Sequence, residues 1–152
     1  MTHQQEPFII DDLMTELLIY VKEQLQNAGK PNIEVDIYNY PNKPECRIKT
    51  DRETLRQILV ILLDNAIELT DRGLIVFGYH VLDDNLVDFF VDDTGTGEYN
   101  DRLSVACDLI VQLGSLLNEN NCKDIGASYS FTVECELFTL DKSQQNPPIN
   151  SD

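Results

Sequence analysis

The chain has 152 residues, 42% of them hydrophobic, and its 27 acidic against 11 basic side chains give a formal net charge of −16. This length and hydrophobic content suffice for one folded domain and exclude a wholly disordered chain. The acidic excess argues against nucleic acid or an anionic membrane as partner, because each binds a basic face. The four cysteines and two histidines show no metal-ligand spacing, so we expect reduced thiols in a cytoplasmic protein.

The first predicted element is a helix over residues 11–28. Its apolar side chains recur at helical spacing and form a single stripe: Leu13, Leu17, Val21 and Leu25. Asp11 and Asp12 suit the positive N-terminal end of a helix dipole, and Gly29 is a suitable stop signal.

Two strands and a second helix are predicted next. Alternating apolar residues predict a half-buried strand over 33–38, and residues 46–49 are a candidate short strand after a proline-containing turn. Asp51 is placed to cap a long helix that continues to about Leu69. Apolar residues cover a wide face of this helix, so we expect much of it to be buried.

The second half of the chain is richer in strands. Two apolar runs, 73–82 and 86–91, are joined by Asp83-Asp84-Asn85, which favours an antiparallel hairpin. Residues 92–100 are predicted to form a loop, 103–117 a helix and 126–140 a final strand or two, followed by a disordered tail over 141–152. This order indicates an α+β fold, a two-layer sandwich with helices on one face of a mixed, largely antiparallel sheet.

Two short segments carry residues suited to ligand chemistry. In Asp64-Asn65-Ala66, near the end of the second helix, the carboxamide oxygen of Asn65 can ligate a hard cation such as Mg²⁺. In the segment Asp-Thr-Gly-Thr-Gly over residues 93–97, Asp93 can accept a hydrogen bond from the exocyclic amine of adenine. Gly95 and Gly97 would let the backbone approach a flat ring. Each motif alone is typical of ordinary structure, but their order and separation by a hairpin make the pair more specific.

With these motifs in this order, residues 8–140 resemble the catalytic, ATP-binding domain of sensor histidine kinases, which has the GHKL fold. Residues 51–70 resemble its N box, 93–97 its first glycine box, 103–114 the helix after its ATP lid and 126–133 its closing strand. The resemblance implies one domain over residues 1–140. It also implies that Asn65 binds Mg²⁺, that Asp93 reads the adenine amine, and that Gly95 and Gly97 form the pocket floor.

The resemblance further implies ATP and Mg²⁺ as cofactors in two-component signal transduction. The partner would then be a protein, either the dimerisation helices of a histidine kinase or a response regulator. The chain itself offers no phosphoacceptor: His3 lies in a polar tail and His80 in a predicted strand, where it reads as a packing residue.

The chain departs from the family pattern at the end of the site that would hold phosphate. Ile61 occupies the place of a second asparagine, and Glu68 stands where a lysine or arginine is common, which reverses the sign of its interaction with a phosphate. Residues 98–102 replace the long lid and the second glycine box, and Ser115 replaces a glycine. No lysine or arginine occurs between Gly73 and Asp101.

These departures predict a degenerate domain with weak or lost ATP binding that acts as a protein-interaction or regulatory module and has no catalytic residue of its own. The alternative is a functional ATP- and Mg²⁺-binding domain that phosphorylates a histidine on a partner or on an upstream domain. A third interpretation, an unrelated acidic domain with chance motifs, is disfavoured by the length of the resemblance. We expect residues 97–102 to form a short, ordered connection.

Overall fold

The computed structural model describes residues 6–38, 46–83, 85–96, 103–122 and 124–139. These residues form an α+β fold, as predicted, with helices packed on one face of a mixed sheet. The elements in chain order are β1 (Phe8–Ile9), α1 (Ile10–Asn27), β2 (Glu34–Ile37), β3 (Cys46–Lys49), α2 (Arg52–Leu69), β4 (Leu74–Asp83), β5 (Leu86–Asp93), α3 (Leu103–Gln112), β6 (Asn118–Cys122), β7 (Gly126–Glu134) and β8 (Glu136–Thr139).

The main sheet has five strands in the order β2-β4-β5-β7-β6. β2 runs parallel to β4 and the other neighbours are antiparallel, including the predicted β4–β5 hairpin. A separate three-stranded antiparallel sheet, β1-β3-β8, lies beside it. Because side chains alternate along a strand, one face of β4, β5 and β7 is buried under the helices. The apolar and aromatic side chains on this inner face are Ile75, Phe77, Tyr79, Val87, Phe89, Val91, Ala127, Tyr129, Phe131 and Val133.

Helix α1 forms where the apolar stripe predicted it, and the stripe is buried. Its end is marked by Gly29, which has a φ of +74° and whose backbone N–H donates to the Gln26 carbonyl at 3.1 Å. Glu16 ties α1 to α2 by accepting from Arg52 at 2.8 Å and from Arg56 at 2.6 Å. Burial of each large apolar side chain in the stripe contributes about 1.5–3 kcal/mol.

Helix α2 confirms the predicted cap and the predicted burial. The Asp51 carboxylate accepts from the backbone N–H of Thr54 at 3.1 Å. Its buried residues cover a wide face: Leu55, Ile58, Leu59, Leu62, Leu63, Asn65, Ala66 and Ile67. The helix ends at Leu69, and the next residue, Thr70, has an extended backbone with φ −106° and ψ 119°.

Strand β5 is longer than predicted. Residues 92 and 93 were expected to begin a loop, but Asp92 pairs with Ser128 and Asp93 with Ala127 in strand β7. On the other side, Asp93 lies opposite Ile75 of β4. Strands on both sides extend this far and supply backbone partners, so two aspartates of low strand propensity are held in the sheet.

Helix α3 is shorter than predicted, and two strands were not predicted at all. The helix ends at Gln112 rather than near 117, because Gly114, with a φ of +83°, reverses the chain and the N–H of Ser115 returns to the Ile110 carbonyl at 3.0 Å. Strand β6 is polar and lies at a sheet edge, so it has no apolar pattern, and β1, with two residues, is too short to show one. The predictions for 97–102 and 141–152 lie outside the described residues. Within the described helices, none has the length and apolarity to cross a membrane.

Candidate functional site

The two predicted motifs meet inside the molecule. Asn65 is on the buried face of α2 and has no exposed surface, and Asp93, at the end of β5, points to the same inner face with 6% exposed. Tyr129 of the neighbouring strand β7 is buried on this inner face too. The Asn65 amide Nδ2 donates to the Tyr129 hydroxyl at 3.3 Å. Burial raises the pKa of Tyr129, and the nearby Asp93 charge raises it further. Asn65 and Asp93 thus share one polar cluster.

Several buried acceptor atoms on α2, β5 and β6 and at the end of α2 have no hydrogen-bond partner among the described residues. These buried atoms are Asn65 Oδ1, Asp93 Oδ2, Thr70 Oγ1 and Asn121 Oδ1. A buried polar atom without a partner costs about 1–3 kcal/mol, so each of these atoms is unusual in a folded protein. Because the two carboxamide oxygens and the carboxylate oxygen only accept, the cluster suits a ligand that brings hydrogen-bond donors or positive charge.

The Asp93 carboxylate is held in one orientation. Its Oδ1 accepts from the backbone N–H of Gly95 at 2.8 Å, which leaves Oδ2 turned into the buried cluster. Burial raises the pKa of Asp93, while the N–H groups of Gly95 and Ala127 partly offset that rise. A fixed, buried carboxylate oxygen can accept from an amine, which is the chemistry expected of Asp93 from the sequence.

Gly95 brings the end of β5 against the end of α2. A Cβ at residue 95 would overlap the carbonyl oxygen of Leu69, and the next residue, Thr96, donates its N–H to that carbonyl at 3.1 Å. The glycine is therefore required for contact between strand and helix. Its predicted part in a pocket floor stays a prediction, and Gly97 lies outside the described residues.

Two contacts that the sequence analysis missed fix the end of α2 that carries Asn65. The Lys30 ammonium donates to the carbonyls of Ile67 at 2.8 Å and Thr70 at 2.9 Å, and lies 3.3 Å from the Asp71 carboxylate. A cation at this position satisfies carbonyls that have no partner within the helix and complements the helix dipole. In addition, the Tyr20 hydroxyl of α1 donates to the Asp64 carboxylate at 2.7 Å.

Tyr129 was also missed, although its signal was in the sequence. In the run from Ala127 to Val133, every second residue is apolar or aromatic, which places Tyr129 on the inner face. A tyrosine hydroxyl on a buried face needs a partner, and the amide of Asn65 is a suitable one. The pairing was not predicted because Asn65 and Tyr129 are 64 residues apart in the chain.

Two of the residues that depart from the family pattern lie on α2, on either side of Asn65. Glu68 is exposed at the last turn of α2, and Ile61 is partly buried one turn before Asn65. In the described part of the chain, no group of three His, Cys, Asp or Glu side chains could hold a metal ion. Asn65 Oδ1 could supply one oxygen ligand to Mg²⁺. Because the ion binds more oxygen ligands than one, water or a bound ligand would have to supply the others.

Comparison with known proteins places this geometry in one structural class. No family model matches the chain. An uncharacterised sensor-like histidine kinase of Rhizobium meliloti is 29% identical over 108 residues, which cover 71% of this chain and 20% of the relative. The chain thus spans about a fifth of the length of that relative.

Solved structures of histidine kinases have the same fold. Full-length ShkA in complex with AMPPNP superposes with a TM-score of 0.74 at 23% identity, over 91% of this chain and 33% of ShkA. The catalytic domain of histidine kinase ThkA gives a TM-score of 0.68 at 20% identity, over 87% of this chain and 97% of that domain. The mycobacterial sensor histidine kinase MprB gives 0.71 at 13% identity, over 89% and 100%.

The solved structures and the sequence relative agree on one class of fold. The chain has the fold of histidine kinase catalytic domains, and its sequence is similar to that of a sensor-like histidine kinase. The resemblance read from the N box and the first glycine box is therefore confirmed.

Proposed function

We propose that this chain is a degenerate ATP-binding domain of two-component signal transduction, with weak or lost ATP binding, that acts through contacts with a protein partner. The partner would be the dimerisation helices of a histidine kinase or a response regulator. In this proposal Asp93, Gly95 and Gly97 retain the purine side of the site and Asn65 retains one oxygen ligand for Mg²⁺, while the phosphate side no longer has the charge to hold a triphosphate.

The observation that supports this proposal is the charge and hydrogen-bonding character of the polar groups around Asn65. The buried atoms without partners in the described cluster are acceptors or a hydroxyl, and the exposed side chain one turn along α2 is the anionic Glu68. A triphosphate is itself an acceptor with several negative charges, so it needs donors and cations. The sequence from Gly73 to Asp101 contains no lysine or arginine to supply them. The amine edge of adenine, in contrast, suits Asp93 Oδ2.

A calorimetric titration with ATP, ADP and adenosine, each with and without Mg²⁺, tests the proposal. We expect ATP with Mg²⁺ to bind no tighter than the high micromolar to millimolar range, about −4 to −6 kcal/mol. Adenosine should bind about as well as ATP, because the phosphates add no favourable contact. Low-micromolar binding of ATP, or a large gain of ATP over adenosine, would contradict the proposal and favour the functional kinase domain.

The role of Asp93 is tested in the same titration with Asp93→Asn. The amide can still accept from Gly95 but offers no carboxylate to the adenine amine, so any nucleoside affinity should fall at least tenfold, about 1.4 kcal/mol. Asp108→Asn, on the exposed face of α3, removes the same charge away from the site and should change nothing. Unchanged affinity in Asp93→Asn would place the purine elsewhere.

A further inference from the structure

The face of the main sheet turned away from the helices carries an aromatic cluster. His80 of β4 stacks on Phe90 of β5 with ring centroids 5.0 Å apart and planes inclined by 20°. Tyr38, just after β2, meets Phe90 edge-on at 5.7 Å and His80 at 4.9 Å. A Cβ at Gly78 would lie 2.8 Å from the Cβ of Tyr38, so this glycine lets the tyrosine sit against β4. The cluster is tightly packed even though no described helix covers this face.

Two carboxylates stand on either side of this cluster. Asp88 and Asp92 are two residues before and after Phe90 on β5, and residues at this spacing point to the same face of a sheet. Together with the aromatic rings they line an open cleft of about 600 Å³. Asp92 accepts from the Ser128 hydroxyl at 2.6 Å. The cleft therefore has anionic groups next to the partly exposed rings of Tyr38 and His80, which pack on the buried Phe90.

The cleft contains no cation of its own among the described residues that line it. Asp88 is partly buried, and this burial raises the pKa of its carboxyl. His80, which pairs with Asp88 across the two strands, lowers this pKa, and the charge of Asp92 raises it. A positive partner stabilises a carboxylate in such surroundings more than it stabilises a carboxylate in open water. The local charge thus favours a cationic occupant and disfavours phosphate or nucleic acid.

We propose that this cleft binds an arginine side chain presented by a protein partner. A guanidinium is planar, stacks on aromatic rings and donates two parallel hydrogen bonds to a carboxylate, so it matches both surfaces at once. Lysine offers a compact charge without the planar fork and would bind more weakly. An apolar segment would cover the carboxylates of Asp88 and Asp92 without offering them a positive charge. The cleft is on the opposite face of the sheet from Asn65 and Asp93, so it is independent of nucleotide binding.

The test is an NMR titration of the whole chain with three short glycine–serine peptides that differ only in a central arginine, lysine or citrulline. The arginine peptide should shift the signals of His80 and Phe90 and their strand neighbours, the lysine peptide less, and the citrulline peptide not at all. In Asp88→Asn the affinity for the arginine peptide should fall about tenfold, as expected for loss of a charged hydrogen bond. Asp108→Asn carries the same charge change on α3 and should bind like the unmodified chain.

Three results would overturn this proposal. The first is a set of NMR signal changes that lies outside the cleft. The second is an equal loss of peptide affinity in Asp88→Asn and Asp108→Asn, which would indicate general attraction to an acidic protein. The third is equal binding of arginine and lysine peptides, which would remove the part assigned to the rings. Phe90→Leu adds a second check, because it should reduce the preference for arginine over lysine while both carboxylates remain. Since nucleotide titrations probe the other face, failure here leaves the proposed function standing.

Discussion

At the scale of single residues, the site depends on how one amide is oriented. The Asn65 Nδ2 group donates to the Tyr129 hydroxyl, so the Oδ1 atom is turned toward the interior without a partner. This arrangement leaves a second buried acceptor without a partner, in addition to Asp93 Oδ2. A cluster of unpaired buried acceptors lowers the stability of the fold, and such a cost is typical of positions retained for binding rather than packing.

Asp93→Asn should therefore make the protein more stable at neutral pH. Burial raises the pKa of Asp93 in the folded state above its ordinary value of 3.8. Below pH 3.8 the side chain is neutral in both the folded and the unfolded protein, and the folded state is at its full stability. As the pH rises through the folded-state pKa, the buried carboxyl becomes charged and that stability is lost. An asparagine stays neutral throughout. Urea unfolding across pH should show the variant above the unmodified chain at pH 7, with the difference shrinking toward pH 4.

Asp108→Asn is the matched control for this measurement, because it removes an exposed carboxylate from α3. It should leave the pH dependence of unfolding close to that of the unmodified chain. If Asp93→Asn were less stable than the unmodified chain at pH 7, the carboxylate would have to be stabilised where it lies, and the assignment of Asp93 Oδ2 as an unpaired acceptor would be wrong.

At the scale of elements, the C-terminal end of α2 depends on a residue from the α1–β2 connection. Lys30→Met keeps the length of the side chain but removes the donors to three carbonyls, those of Ile67, Glu68 and Thr70. We expect a loss of about 1–2 kcal/mol in the free energy of unfolding, measured in urea. Lys22→Met, an exposed change on α1, is the control and should cost less than about 0.5 kcal/mol. Equal effects of the two changes would mean that the cap contributes little.

The contact between the ends of β5 and α2 makes Gly95 sensitive to any side chain. Gly95→Ala should cost about 1–3 kcal/mol, because its Cβ would overlap the Leu69 carbonyl oxygen and separate strand from helix. Gly29→Ala is a useful comparison, since its Cβ would meet no atom within 4 Å and only its φ of +74° is unfavourable. Urea unfolding of both variants separates the two costs. A larger loss at Gly29 would contradict the close approach at Gly95.

At the scale of the whole molecule, a net charge of −16 on 152 residues opposes the compact state. The described ion pairs, such as those of Glu16 with Arg52 and Arg56, neutralise only a small part of it. We expect the urea midpoint to rise between about 10 and 200 mM NaCl, because screening reduces the repulsion among surface carboxylates. A midpoint that falls with added salt would mean that ion pairs outweigh net repulsion.

Much of the fold could be predicted from local patterns in the sequence. The stripe of α1, the Asp51 cap of α2 and the hairpin of β4 and β5 are each set by residues close together in the chain, and each was found within a few residues of its actual bounds. The polar strand β6 could not be found in this way, because an edge strand is held by hydrogen bonds from its neighbour rather than by an apolar pattern.

The sequence by itself determined the class of fold and the lack of cations from Gly73 to Asp101, and it pointed to Asn65 and Asp93 as candidate site residues, since composition, spacing and motif order are properties of the chain. Only the tertiary structure decided that Tyr129 pairs with Asn65, that Lys30 caps α2, and that Gly95 approaches Leu69. Hydrogen bonds and van der Waals contacts act over a few ångströms, and folding brings these groups within reach from positions 26 to 64 residues apart in the chain.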